Sequence, residues 1–143
     1  MAKSDRDSKK QINKEVMVTK RVPYTLEYGF KAKADLLYTY LSIPFNLSVW
    51  FADKVEVVND VFHFYWKDSK ESAKIFKQSF KKKVVFHWVE RPGEEYLTFL
   101  IETDDLTGST TLTVSDVDFD DQLDQARMVW DVAIDKLKKL VGG

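Results

Sequence analysis

The sequence predicts an α+β domain: a curved antiparallel sheet of about seven strands wrapped around a long C-terminal helix, with two short helices between strands one and two. Apolar residues at three- and four-residue steps through residues 119–141 indicate one long amphipathic helix. A series of short aromatic strands, ending at residues 108–114, precedes that helix. Such a sheet with one apolar face needs a helix to cover it, which gives the α+β class.

The composition indicates one globular domain. The chain has 143 residues, 44% of them hydrophobic and 14% aromatic, enough for one substantial core. The absence of cysteine excludes a disulfide scaffold, a cysteine-ligated metal site and thiol chemistry. No apolar run reaches the roughly eighteen residues that a membrane span needs. The N-terminus lacks the apolar core of a secretory signal, so we expect a cytoplasmic protein.

Charge is distributed unevenly along the chain. Residues 1–21 carry a net charge of +4 and the remainder a net charge of −5. We expect residues 1–19 to form a disordered basic tail, with Met17 as an alternative start, and residues 20–143 to form the folded domain. An acidic body argues against nucleic acid as the main partner.

The first half of the domain is predicted as a strand followed by two short helices. Residues 22–30 alternate apolar and polar, and Pro23 near the start of this strand fits a sheet edge. Residues 34–41 form a helical stretch that ends before Pro44. A second short helix or turn follows through residues 46–50.

The second half is predicted as six strands and the final helix. Asn59 and Asp60 supply a hairpin turn, and further turns are expected at residues 68–71 and 91–94. Asp118 or Asp120 is expected to cap the final helix. The six predicted strands span residues 55–58, 61–67, 72–80, 84–90, 96–103 and 110–115.

Alternation along the strands predicts which side chains face the helix. The expected inner face is wholly apolar: Phe62, Phe64, Trp66, Val84, Phe86, Trp88, Leu97, Phe99 and Ile101. The opposite face is mixed and holds both histidines, His63 and His87. These two histidines lie on strands separated by another strand, so we expect neither a shared metal ion nor a catalytic role for them.

Several short segments, taken in order, resemble one protein family. They are residues 48–51, 61–66, 84–88, 97–99 and 108–114, together with Trp130 early in the final helix. Their order and spacing resemble the START-like, birch-pollen-allergen-like (SRPBCC) superfamily, nearest to bacterial homologues of the heat-shock-protein ATPase activator. That branch often has a glycine pair before the aromatic third strand, where this chain has Val58, Asn59 and Asp60. The resemblance implies a helix-grip fold over about residues 22–141.

A helix laid across a concave sheet can enclose a cavity, which gives the first functional hypothesis. We expect non-enzymatic binding of a small hydrophobic or amphipathic ligand between sheet and helix. In the competing interpretation the same aromatic side chains simply fill the core. The candidate pocket-lining residues are Trp50, Phe51, Phe62, Phe64, Trp66, Phe86, Trp88, Phe99, Trp130 and Ile134.

Two other functions stay open at this point. One is a protein-interaction or chaperone-regulator module with a filled core, acting through a protein partner or a homodimer. The other, implied by the resemblance, is a polyketide cyclase or dehydratase. The inner face offers almost no titratable group. Lys77 and Glu27 would be exceptions if the alternation along their strands turned them inward, but we expect both at the surface. No catalytic residue, cofactor or metal is therefore predicted, and the aspartates of residues 104–121 are interpreted as solvated turns and helix caps.

Overall fold

The computed structural model describes residues 19–143, so the predicted basic tail, apart from Thr19, and the alternative start at Met17 lie outside the described residues. A single antiparallel sheet has the strand order β1-β7-β6-β5-β4-β3-β2. β1 is thus an edge strand, as the position of Pro23 predicted. The strands are β1 (Arg21–Phe30), β2 (Lys54–Val58), β3 (Val61–Trp66), β4 (Ser69–Ser79), β5 (Lys83–Trp88), β6 (Tyr96–Thr103) and β7 (Thr110–Phe119).

Two short helices and one long helix complete the domain. Helix α1 (Ala34–Ser42) and helix α2 (Pro44–Leu47) connect β1 to β2, and Pro44 separates them. A 3-10 turn (Asp120–Gln122) leads from β7 into helix α3 (Leu123–Val141). This order, with α3 gripped by a curved seven-stranded sheet, is the predicted helix-grip α+β fold.

Helix α3 ends at glycine and is tied to the start of the domain. Gly142 is left-handed (φ 92°), and its N–H donates to the carbonyl oxygen of Lys138. The carbonyl oxygen of Gly143 accepts hydrogen bonds from the backbone N–H groups of Lys31 (2.6 Å) and Ala32 (3.2 Å). These bonds fix the C-terminal end of α3 beside the segment that follows β1.

The β2–β3 turn takes an unusual backbone conformation. Asn59 and Asp60 both have positive φ, 51° and 68°, as a two-residue turn between twisted strands requires. Glycine adopts this conformation without the steric cost that a side chain imposes. Glycine would therefore fit the backbone at either position of this turn.

Replacing Asp60 by glycine should therefore stabilise the domain. We expect the Asp60→Gly variant to gain about 0.5–1 kcal/mol in unfolding free energy, because glycine relieves the strain at positive φ. Urea unfolding followed by tryptophan fluorescence measures the change. Ser69→Gly, at a position in β4, is the matched control and should lose stability. A loss of stability in Asp60→Gly would contradict the strain argument.

The end of the sheet differs from the prediction. β7 was expected to end at Ser115 and the helix to begin at 119, but β7 pairs with β1 as far as Phe119 opposite Arg21. The predicted caps are also wrong, because no side-chain cap hydrogen bond forms at the start of the 3-10 turn or of α3. Asp118 instead accepts a hydrogen bond from the N–H of Phe119 (2.7 Å). β4 begins earlier than expected, at Ser69, so Glu71 lies in the strand.

The core confirms the predicted side-chain alternation. Phe64, Phe86 and Phe99 are fully buried, and Trp88 is only 2% exposed. From α3 the buried residues are Ala126, Trp130, Ile134, Leu137 and Val141, whereas Leu140, predicted on the same face, is 44% exposed. Within residues 19–143, no helix combines the length and the hydropathy that crossing a membrane would take.

Candidate functional site

A groove opens between α3 and the loop that joins α2 to β2. We call its solvent-facing part the outer groove; its volume is about 500 Å³. Trp50 and Phe51 form one wall, and Met128, Val129 and Val132 of α3 form the other. These three helix residues are 58–61% exposed, so the outer groove presents apolar surface to solvent.

A second space adjoins the outer groove and reaches more deeply buried residues under α3. We call this the inner pocket; its volume is about 220 Å³. Five residues line both spaces, which together we call the channel: Phe51, Trp66, Gln125, Val129 and Ala133. The inner pocket ends at Tyr24, Trp88 and Trp130, beside the charged residues Arg91 and Asp116. The site is therefore a mostly apolar channel with a polar end.

All four tryptophans of the chain line this channel, and each indole N–H has an acceptor. Trp50 donates to the carbonyl oxygen of Tyr40 (2.8 Å), and Trp66 donates to that of Phe51 (2.8 Å). Trp88 donates to Asp116 Oδ1 (3.0 Å), and Trp130 donates to Tyr24 Oη (2.9 Å). These bonds fix the rings in place, so the channel walls are largely pre-formed.

The structure separates the predicted pocket residues into two groups. Trp50, Phe51, Trp66, Trp88 and Trp130 line the channel. The remaining candidates line neither space and pack in the core: Phe62, Phe64, Phe86, Phe99 and Ile134. Ligand contact by the first group stays a prediction, and the second group has the core-filling role of the competing interpretation.

The polar end of the inner pocket was not predicted. Arg91, in the β5–β6 turn, donates to Glu71 with Nε (2.8 Å) and Nη2 (2.9 Å). Its Nη1 donates to Asp116 Oδ1 (2.9 Å) and Glu95 Oε1 (3.2 Å). The guanidinium also lies 4.3 Å from the ring centroid of Trp88. Arg91 thus joins three acidic residues beneath α3.

Asp116 is the most deeply buried acid of this cluster, at 7% exposure. Burial raises the pKa of its carboxyl to about 6, although the charge of Arg91 opposes that shift. Its Oδ1 also accepts a hydrogen bond from the N–H of Val117 (2.8 Å). Burial likewise raises the pKa of Tyr24, which lies directly opposite Asp116 in the β1–β7 pairing. The aspartate interpreted as a solvated turn residue is in fact part of the pocket.

A second arginine holds the cluster from the sheet edge. Arg21 forms a two-bond pair with Glu95, with both donor–acceptor distances 2.7 Å. The hydrogen bond from Arg21 lowers the pKa of Glu95, against the effect of burial. Because Glu95 also contacts Arg91, the network runs from the edge strand to the inner pocket.

The other titratable candidates lie away from the channel. Glu27 and Lys77 are exposed, as predicted. His63 is hydrogen-bonded to Ser72 (2.7 Å), and His87 Nε2 lies 3.5 Å from Glu94 Oε1, both on the face opposite α3. Among residues 19–143, no group of three or more histidine, aspartate or glutamate side chains is arranged to hold a metal ion.

Comparison with known families decides the classification. The family model described as "START-like superfamily domain" matches residues 17–143. The chain belongs to the START-like superfamily. No curated protein matches its sequence.

Solved structures show the same fold at low sequence identity. The Aha1 dimer from Colwellia psychrerythraea is 18% identical (TM-score 0.72; 84% of this chain, 96% of that chain). A protein from Bacteroides fragilis is 28% identical (TM-score 0.57; 85% and 91%). CalU16 from Micromonospora echinospora is 14% identical (TM-score 0.64; 86% and 83%). These three structures share the fold of this chain.

Proposed function

We propose that this START-like domain binds one small amphipathic ligand, without chemical change, in the channel between α3 and the sheet. The observation that carries the proposal is that the outer groove and the inner pocket adjoin each other and share five lining residues. Ligand sites in proteins are concave, mostly apolar and furnished with a few polar groups. A channel of this kind, with volumes of about 500 and 220 Å³ in its two parts, fits that description.

The side chains that line the channel set the orientation of the bound ligand. Aromatic and aliphatic side chains form the middle, at Phe51, Trp66, Val129 and Ala133. Polar groups line both parts: Ser48, Asp53 and Lys136 lie at the outer groove, and Tyr24 and Asp116 lie at the deep end. Asp116 is the most buried of these polar groups. We therefore place the polar head of the ligand at the deep end, where its hydrogen bonds are shielded from water, and the apolar chain towards the exposed apolar rim of the outer groove.

Filling the channel should abolish binding. Ala133 lines both spaces, so in Ala133→Phe the added ring lies where the two spaces adjoin. We expect the affinity for the neutral fluorescent probe N-phenyl-1-naphthylamine to fall at least about tenfold. The matched control is Asp135→Phe, which adds the same ring at an exposed position of α3 outside the channel. Equal probe affinity in both variants would contradict the proposed site.

A second candidate is self-association through the outer groove. Met128 is 61% exposed and Val132 60% exposed, so the rim of the groove is an apolar surface that a second copy can cover. Sedimentation velocity over a range of protein concentrations separates the candidates. A dimer that Met128→Lys dissociates favours self-association, and a monomer that binds the probe favours the ligand channel.

The polyketide cyclase or dehydratase alternative gains one specific observation. Its chemistry needs groups that exchange protons near the substrate, and Asp116 with a pKa of about 6 is such a group at the end of a pocket. A buried carboxyl with a raised pKa also suits a site that only binds its ligand. Binding without reaction therefore stays the proposal.

A further inference from the structure

We propose that the inner pocket selects amphiphiles whose head group donates hydrogen bonds, a primary ammonium above all, and rejects carboxylates such as fatty acids. This inference rests on the proposed function, because it names the ligand class of the same site. Its basis is the arrangement of charges and unused hydrogen-bonding atoms at the deep end.

The charges that line the inner pocket are predominantly negative. Three carboxylate side chains line it, those of Glu71, Asp116 and Asp118, against the one guanidinium of Arg91. A ligand carboxylate placed here meets like charges in a partly buried site, where their repulsion is poorly screened. A cationic head instead balances the excess negative charge.

The guanidinium is not available to hold an anion. Its Nε and Nη2 form the paired bonds to Glu71, and its Nη1 faces Asp116, Glu95 and the carbonyl oxygen of Val117 (3.2 Å). Nearly all its N–H groups therefore already have acceptors on the protein. A ligand carboxylate would have to displace one of these carboxylates; Asp116, if displaced, would lose the one cation that it contacts among residues 19–143 while its side chain is only 8% exposed.

By contrast, a hydrogen-bond acceptor at the deep end of the inner pocket, Asp116 Oδ2, has no donor in the described part of the protein. All the protein donors to Asp116 converge on Oδ1, from Trp88, Arg91 and Val117. Within residues 19–143, Oδ2 receives no hydrogen bond from the protein. The side chain is only 8% exposed, yet Oδ2 is not fully enclosed, so a molecule in the inner pocket can reach it. An ammonium or hydroxyl of the ligand can donate to this oxygen in place of water, and a hydrogen bond to a charged acceptor is stronger than one between neutral groups.

Tyr24 provides a second acceptor next to this oxygen. Its hydroxyl oxygen accepts one bond, from Trp130 (2.9 Å), and a phenol oxygen has a further lone pair. Tyr24 and Asp116 are directly paired across β1 and β7, so their side chains leave the sheet on the same side and close together. An ammonium has three N–H groups, enough to donate to both oxygens at once.

Three probes of twelve carbons each test the selectivity: dodecylammonium, dodecanol and dodecanoate. The two ionic probes are used below their micelle concentrations and dodecanol below its solubility limit. They compete with N-phenyl-1-naphthylamine for the wild-type protein at about pH 8, where Asp116 is ionised. We expect dodecylammonium to bind at least about tenfold more tightly than dodecanoate, the size expected of one charge-assisted hydrogen bond, with dodecanol between them.

Two variants test which residue of the inner pocket causes the preference for ammonium. Asp116→Asn should abolish the preference for ammonium, whereas Asp118→Asn, which removes the same charge from another position of the inner pocket, should retain most of it. Thermal unfolding confirms that each variant is folded. Tyr24→Phe keeps the ring and removes the second acceptor, so it should weaken ammonium binding several-fold even if Asp116→Asn does not fold.

The outcomes separate the two proposals. Equal binding of the ammonium and the carboxylate, or a preference for the carboxylate, overturns the selectivity and leaves the channel as a ligand site. Failure of all three probes and of the fluorescent probe to bind overturns the proposed function itself. A preference that survives unchanged in Asp116→Asn overturns the assignment to Asp116.

Discussion

Replacing Arg91 by alanine is expected to lower the unfolding free energy by about 3–5 kcal/mol, the cost of leaving the buried carboxylate of Asp116 without its cationic partner. Arg91 is the only described cation whose hydrogen bonds reach Glu71, Glu95 and Asp116 together. Asp116 has no other cation within hydrogen-bonding distance among residues 19–143. The substitution also removes the guanidinium that covers the ring of Trp88.

Urea unfolding at neutral pH measures this loss. Arg127→Ala, at an exposed position of α3, is the matched control and should change stability by less than about 0.5 kcal/mol. Arg91→Lys keeps the charge but cannot form the two-bond pair with Glu71, so an intermediate loss is expected. A cost of Arg91→Ala close to that of Arg127→Ala would show that the buried carboxylates are stable without the guanidinium.

The architecture was predictable because buried residues recur at regular spacings, every second residue in a strand and every third or fourth in a helix. Alternation through Phe62, Phe64, Phe86 and Trp88 correctly placed these side chains beneath the helix, since a one-residue shift would turn them all to solvent. The three- and four-residue spacing of Trp130, Ile134 and Leu137 likewise identified the buried face of α3. The family was recognised separately, from the resemblance of short segments such as residues 61–66 and 84–88 in their order along the chain.

The end of the sheet was less predictable because its final residues are polar. Asp116 and Asp118 flank Val117 in the last strand, and aspartate is rare in strands and common at turns and helix caps. Pairing with β1 overrides that local preference, because Asp118 is opposite Val22 and Phe119 is opposite Arg21. Only the partner strand determines where β7 stops.

The polar end of the channel needed the tertiary structure for the same reason. Glu71, Arg91 and Asp116 lie on three different segments and are 20 or more residues apart in sequence. One usable signal was present: Asp116 continues the inward alternation of Leu112 and Val114 along β7, which are fully buried. An acid at an inward position requires a partner, and that requirement points to a buried arginine.

The second large effect is expected at Trp130, the tryptophan of α3. Replacing it by alanine should cost about 3–5 kcal/mol, because the ring is 93% buried and its removal leaves a cavity. Its ring centroid lies 5.6 Å from that of Phe51 and 6.0 Å from that of Phe99, so both rings lose a partner. Tyr24 also loses the donor to its hydroxyl oxygen.

Chemical denaturation of Trp130→Ala, followed by circular dichroism, measures the loss. Met128→Ala, which truncates an exposed apolar side chain of the same helix, is the control and should cost less than about 1 kcal/mol. Trp130→Phe separates packing from hydrogen bonding, because it keeps an aromatic ring and removes only the N–H donor. If Trp130→Ala were as stable as Met128→Ala, α3 would not be held to the sheet by this ring. Trp130 also lines the inner pocket, so that side of the pocket would then not be held in a fixed position.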